Sequence, residues 1–225
     1  MTSWPVERHR GTAGVFHGRE VPRPPERAVW WFEVTGPAVV LGSGQRREVL
    51  DAEATSSAGV EVVRRRSGGG AVWLEPGALT WVDVILPAGD EHWVDDVGRS
   101  AVWLGTAWAA ALDDLGVGGA VVHTAPMVRT RCADLVCFAG VAPGEVLIDG
   151  RKVVGVSQRR TRNGARFQCA VLHHWDPAPL VDLLAVAPAE RPRLAAELEQ
   201  LAVGIGAVDP GAVIAALAAH LDAPG

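Results

Sequence analysis

The sequence predicts an α+β domain with a short helical C-terminal end, and three observations carry that prediction. Short β-branched and apolar runs, bounded by glycine and proline, recur between residues 28 and 87. Residues 144–175, punctuated by Asp149-Gly150 and Asn163-Gly164, read as a β-meander. From Pro177 the chain turns Ala/Leu-rich with helical spacing. A chain of 225 residues is long enough to bury one sizeable core.

Taken in order, residues 1–27 are rich in Pro, Arg and Gly and read as an irregular N-terminal arm. "AVWWFEV" (28–34) and "AVVLG" (38–42) read as strands broken at Gly36-Pro37. "LDAEATSSAG" (50–59) suits a short helix stopped by Gly59. "VEVVRRR" (60–66) reads as a strand running into glycines; "AVWLEPG" and "LTWVDVILP" follow as strands around Pro76-Gly77. Residues 95–116 place Val97, Ala101, Leu104, Trp108, Ala111, Leu112 and Leu115 at helical spacing, with Gly116 as the stop. "AVVHTA" is then a strand, and 125–145 is loop-like. Residues 28–176 thus form the main domain. Residues 177–225 form a helical end packed on it, with helices expected within 180–185, 190–206 and 210–222.

Composition narrows the function. A formal net charge of −5 argues against nonspecific nucleic-acid binding. No apolar run reaches the ~18 residues of a membrane span, and "MTSWPVERHRG" lacks a signal-peptide core. The expectation is a cytoplasmic protein with neither nucleic-acid nor membrane partner. Three cysteines without a CxxC pair give neither a disulfide framework nor a structural zinc site. His173 and His174 would point to opposite faces of a strand, so no metal site is expected there.

The chemistry concentrates in two stretches. In "RRRSGGGAVW" (64–73), consecutive glycines let a ligand approach the main chain, their N–H groups can form an anion-binding concavity, and the arginines add charge-assisted donors. GxxxxGK[ST] and GxGxxG are both absent, so the candidates are another kind of nucleotide or carboxylate cradle, or a flexible hairpin end with solvated arginines. In "LIDGRKVVGVSQRRTRNGARFQ" (147–168), Lys152 lies just past a turn, where it serves either as a fixed cation in a cleft or as an ordinary solvated lysine.

Together these stretches resemble the catalytic domain shared by lipoate–protein ligases, octanoyltransferases and biotin–protein ligases, most closely the lipoate-ligase A type. The family run RRxSGGGAV stands here as "RRRSGGGAV" (64–72), and GRKxxGxxQ stands as "GRKVVGVSQ" (150–158); "GPAVVLGSGQ" (36–45) is similar to an early segment that shapes the acyl pocket. The resemblance spans about residues 28–175. It implies a mixed β-sheet flanked by helices, and the attachment of a lipoyl or octanoyl group to a lysine of a lipoyl carrier domain, of the 2-oxoacid dehydrogenase E2 or glycine cleavage H protein type. Carried over by position, Arg65, Arg66, Ser67, Gly68, Gly69, Gly70, Ala71, Val72 and Trp73 would line the nucleotide, and Lys152 would contact the acyl carboxylate and the α-phosphate. A ligase route would use ATP and Mg²⁺ to form an acyl-adenylate from lipoate or octanoate. A transferase route would use a cysteine nucleophile. Cys137, fifteen residues before Lys152, resembles the nucleophile of one transferase branch. Gly140-Val141 stand where ligases carry Asn-Asp, and Cys169-Ala170 stand for the family's His-Gly. The resemblance puts the ligase route first, the Cys137 route second, and a non-catalytic acyl- or nucleotide-binding relative third.

Overall fold

A seven-stranded sheet frames the molecule, which the computed structural model describes over residues 4–222. The chain enters through β1 (Val6–Gly11) and α1 (Ala13–Gly18), then β2 (Ala28–Val34), β3 (Ala38–Leu41), α2 (Ala52–Ser57), β4 (Glu61–Arg64), β5 (Val72–Leu74) and β6 (Leu79–Pro87). Next come α3 (Val102–Asp114), β7 (Ala120–Val122), β8 (Val128–Arg129), β9 (Gly140–Val141), β10 (Val146–Ile148), β11 (Arg151–Thr161) and β12 (Gly164–Leu172). The helices α4 (Ala178–Leu183), α5 (Arg191–Glu199) and α6 (Pro210–His220) follow. The large sheet runs β1-β2-β6-β12-β11-β10-β7, a smaller one runs β4-β3-β5, and β8 pairs with β9. Because β1 lies parallel to β2 while the other pairs of the large sheet are antiparallel, that sheet is mixed.

The alternation of β6 explains why its sequence looked apolar throughout. Val82, Val84 and Leu86 face a core with Leu104, Trp108 and Leu112 of α3 and Leu217 of α6. Trp81 and Ile85 face the opposite way, against Trp30, Phe32, Val40 and Leu74. The central strands are therefore covered on both faces, by helices on one side and by the small sheet on the other. The helices α4 and α5 support the small sheet from below: Leu180, Leu184, Leu194 and Leu198 pack with Val39, Leu41 and Val136.

Four expectations need correction. The supposedly irregular arm holds β1 and α1. β1 is an edge strand with mostly exposed polar side chains, so its charges mask the strand pattern. Its register is nonetheless continuous from Val6↔Val29 to Gly11↔Val34, and the Thr12 side chain caps α1. The second hairpin turns at Arg162-Asn163 rather than Asn163-Gly164. Gly164 already pairs with Thr161, and a Cβ there would sit 2.6 Å from the Leu86 carbonyl oxygen. The helix expected over 95–116 begins only at Val102, after turns in which the Asp96 carboxylate accepts from the Gly98 N–H. The helix expected over 190–206 stops at Glu199, because residues 201–203 pair with Lys152 instead: Lys152 N–H donates to Leu201 O (2.9 Å) and Val203 N–H donates to Lys152 O (3.0 Å). The Asp149-Gly150 turn stands as expected, with positive φ of 50° and 75° at its two residues, as a tight type I′ hairpin requires. Among the described residues, no helix is long and apolar enough to cross a membrane.

Candidate active site

The glycine run links β4 to β5 and passes over the loop that precedes β9. Ala71 forms a parallel bridge with Val136: Ala71 N–H donates to Leu135 O at 2.8 Å, and Cys137 N–H donates to Ala71 O at 2.9 Å. This clasp brings together segments that are more than sixty positions apart. It leaves no room for side chains, since a Cβ on Gly70 would lie 2.6 Å from the Val136 carbonyl carbon. Gly69, at φ 99°, carries the main chain past both Arg65 and Cys137. A Cβ there would lie 2.8 Å from Arg65 Nη2 and 3.2 Å from Cys137 Sγ.

Cys137 opens a short 3-10 turn and is partly exposed, unlike the buried Cys132 and Cys169. Burial pushes the Cys132 and Cys169 thiols up, so both stay protonated and unreactive. Arg65 is buried and reaches across the glycine run. Its guanidinium donates to the carbonyls of Val40 (3.2 Å), Gly68 (2.7 Å from Nη2) and Gly70 (2.9 Å), and Nη2 lies 3.6 Å from Cys137 Sγ.

Lys152 is 1% exposed. Its ammonium donates to Cys137 O (2.7 Å) and Gly140 O (2.6 Å) and pairs with the buried Glu145 carboxylate at 3.1 Å. Glu145 also accepts from the N–H groups of Ala142 (2.7 Å) and Val156 (3.1 Å). The lysine thus holds the main chain of the cysteine-bearing turn, and its three N–H donors are matched by three partners.

Between the two sheets lies a narrow pocket whose lining includes Val40, Val72, Leu74, Trp81 and Ala170, with Arg65, Ser157, Gln168 and His17 as its polar groups. Ser67, buried, lies 3.0 Å from Ser157 Oγ and donates to Gln168 Oε1 at 3.0 Å, closing one wall. His17 Nδ1 lies 3.3 Å from Gln168 Nε2, and the imidazole packs against Trp81 at 4.6 Å. Burial, aided by the nearby charges of Arg166 and Arg65, pulls His17 down to about 3, so the imidazole is neutral. Arg166 anchors α1. It pairs with the buried Asp83 at 2.5 Å and donates to Phe16 O (2.8 Å) and Arg19 O (2.6 Å). Burial raises the Asp83 carboxyl, against the pull of Arg166 and the Trp81 indole N–H.

The residues expected at the site therefore divide. Arg65, Ser67, Gly69, Gly70, Ala71, Val72, Cys137 and Lys152 converge. Gly68 is exposed, Arg66 is exposed and pairs with Glu20, and Trp73 turns away from the pocket to pack beside the second core. His17, Gln168 and Trp81 were missed. Ser157 lies within the GRKVVGVSQ motif and Gln168 within the stretch 147–168, but neither was given a role.

A narrow, mostly apolar pocket joined through Arg65 to a partly exposed cysteine marks a class: enzymes that activate or transfer acyl groups. Residues 13–221 match the family model described as the lipoyl protein ligase A/B catalytic domain, and the chain belongs to that family of enzymes. It is 30% identical over 197 residues to octanoyltransferase LipM from Moorella thermoacetica, covering 83% of this chain and 68% of that protein. Among solved structures, it resembles the bipartite lipoate protein ligase with its E2 lipoyl domain from Thermoplasma acidophilum (TM-score 0.72, 17% identity, 98% of this chain and 82% of that one). It also resembles lipoate-protein ligase A bound with ATP (TM-score 0.66, 16% identity, 96% and 83%). These structural likenesses show the shared mixed-sheet fold.

Proposed function

We propose that the chain transfers an octanoyl or lipoyl group through a thioester on Cys137, from an acylated carrier to a lysine of a lipoyl carrier domain. One observation carries this reading: Cys137 is partly exposed, and its sulfur lies beside a guanidinium that itself lines the pocket. Likeness to an octanoyltransferase over most of the chain supports it.

The adenylate route, placed first by the sequence, fits these residues less well. Lys152, which would have to meet an α-phosphate, is already matched by two carbonyls and Glu145. Where an Asn-Asp pair would handle magnesium, Gly140 offers only the carbonyl that holds Lys152.

In the proposed reaction the acyl tail lies among Val40, Val72, Leu74, Trp81 and Ala170. The Cys137 thiolate attacks the donor thioester, its S–C bond forms, and the donor thiolate leaves and takes up a proton. The acceptor lysine then attacks the acyl-enzyme as a free amine, forms an amide and releases Cys137, the amine proton passing to solvent. Lys152 and Glu145 hold the turn that aims the sulfur. Val72 lines the acyl site, and Ser67, donating to Gln168, closes one wall.

The test uses intact mass spectrometry. With an octanoyl-carrier thioester, the wild type should gain one octanoyl group on Cys137, and an apo lipoyl domain should then gain it in turn; Cys137→Ala should do neither. Full activity in Cys137→Ala, with AMP released from ATP and octanoate, would overturn the reading in favour of the ligase.

A further inference from the structure

Three cationic side chains of the described residues are buried: Arg65, Lys152 and Arg166. Lys152 has Glu145, and Arg166 has Asp83. Arg65, 4% exposed, has no carboxylate within 4.0 Å among the described residues. Its donors go to the main-chain carbonyls of Val40, Gly68 and Gly70, and its one side-chain hydrogen-bond partner among the described residues is Cys137 Sγ at 3.6 Å. Neutral carbonyls offset only part of the cost of withdrawing a full charge from water, and an anion at the same place offsets far more. The sulfur is the group positioned to supply that anion.

We infer that Arg65 is a catalytic residue that holds Cys137 as its thiolate, an assignment resting on the reading of Cys137 as the nucleophile. The thiol proton passes to solvent, and the charge left on sulfur faces the Arg65 guanidinium. When the thiolate attacks, its electron pair becomes the new S–C bond and the donor C–S bond breaks. The negative charge departs with the donor thiolate, leaving Arg65 beside a neutral thioester sulfur. Gly69 is part of the same device. Any side chain there would press on Nη2 and Sγ together and wedge the pair apart.

The roles of the two cations then differ from what the motifs imply. Lys152 touches the carbonyl of Cys137 and never the sulfur, so it is a positioning residue. Arg65, which the motif assigns to a nucleotide, touches the reacting atom.

The experiment is alkylation of the full-length, acyl-free enzyme by iodoacetamide at pH 7, followed on the peptide that contains Cys137. Wild type should react faster than a cysteine in an unstructured peptide. Arg65→Gln should slow the reaction roughly ten- to a hundredfold, the range expected for losing a hydrogen bond to a charged group. Arg65→Lys, which keeps the charge, should retain most of the rate, and strongly alkaline buffer should bring the Gln variant level. If circular dichroism shows Arg65→Gln unfolded, Gly69→Ala provides the same comparison. Wild-type speed in Arg65→Gln, or in Gly69→Ala where that replaces it, would overturn the assignment; so would an equal loss in Arg65→Lys and Arg65→Gln. Because alkylation needs no acyl donor, fast alkylation without any acyl transfer would sink the transferase reading and with it the catalytic role of Arg65, while leaving its hold on the sulfur. Slow wild-type alkylation would sink the Arg65 assignment alone.

Discussion

Two buried ion pairs in this molecule share one construction. Lys152 pairs with Glu145 and also binds the carbonyls of Cys137 and Gly140; Arg166 pairs with Asp83 and also binds the carbonyls of Phe16 and Arg19. Each cation rises from the hairpin β11–β12 and fastens a short segment lying beyond the large sheet, a 3-10 turn in one case and the end of α1 in the other. One segment carries Cys137, the other carries His17 into the pocket wall. A buried charge here serves as a fastener for main chain, and the chemistry depends on which side chain the fastened segment presents. Neither lysine nor arginine need touch substrate to be indispensable.

Breaking the first fastener should have the largest effect. Lys152→Met should abolish acyl transfer and lower stability by about 3–5 kcal/mol, because Glu145 is left buried without its partner; urea denaturation and a transfer assay measure the two losses. Adding Glu145→Gln should restore part of the stability and none of the activity. Breaking the second, Arg166→Met, should cost about 3 kcal/mol by the same mechanism. It should also raise KM for the acyl donor, while Cys137 alkylation stays near the wild-type rate.

His17 sharpens the contrast through pH. Its folded value is lowered to about 3 from 6.5, so the folded protein keeps the imidazole neutral while the unfolded chain takes up a proton. Stability from this group is therefore intact above about pH 6.5 and falls as the pH drops toward 3. His17→Gln should flatten that part of the acid-unfolding curve. The smallest effect is expected at an exposed pair of the same charge types: Arg131→Ala, which removes the contact with Glu197, should cost no more than about 1 kcal/mol in thermal unfolding. A large loss there would show that pairing itself, rather than burial, sets the scale.

How far the sequence reached follows from the range of each interaction. The meander, the Asp149-Gly150 turn and the placement of Lys152 are local and were legible, since turn residues and strand alternation act over a few positions. β1 was hidden because an edge strand needs little apolar character. The approach of Arg65 to Cys137 could not be read at all. It depends on the Ala71↔Val136 bridge, a pairing of two segments remote in sequence and irregular in their own local structure. His17 and Gln168 were invisible for a related reason: as isolated polar residues they gain meaning only from the pocket that assembles around them. The resemblance supplied Lys152, Cys137 and Arg65 by position; a motif records which residue is present and not what it touches.

One detail of the fold bears on how the enzyme comes into being. The main chain of Lys152 is gripped on one side by residues 201–203, about fifty positions further along. A polypeptide still being translated cannot complete that grip until those residues have left the ribosome. The main-chain setting of the lysine that holds the Cys137 turn is thereby tied to the emergence of residues 201–203.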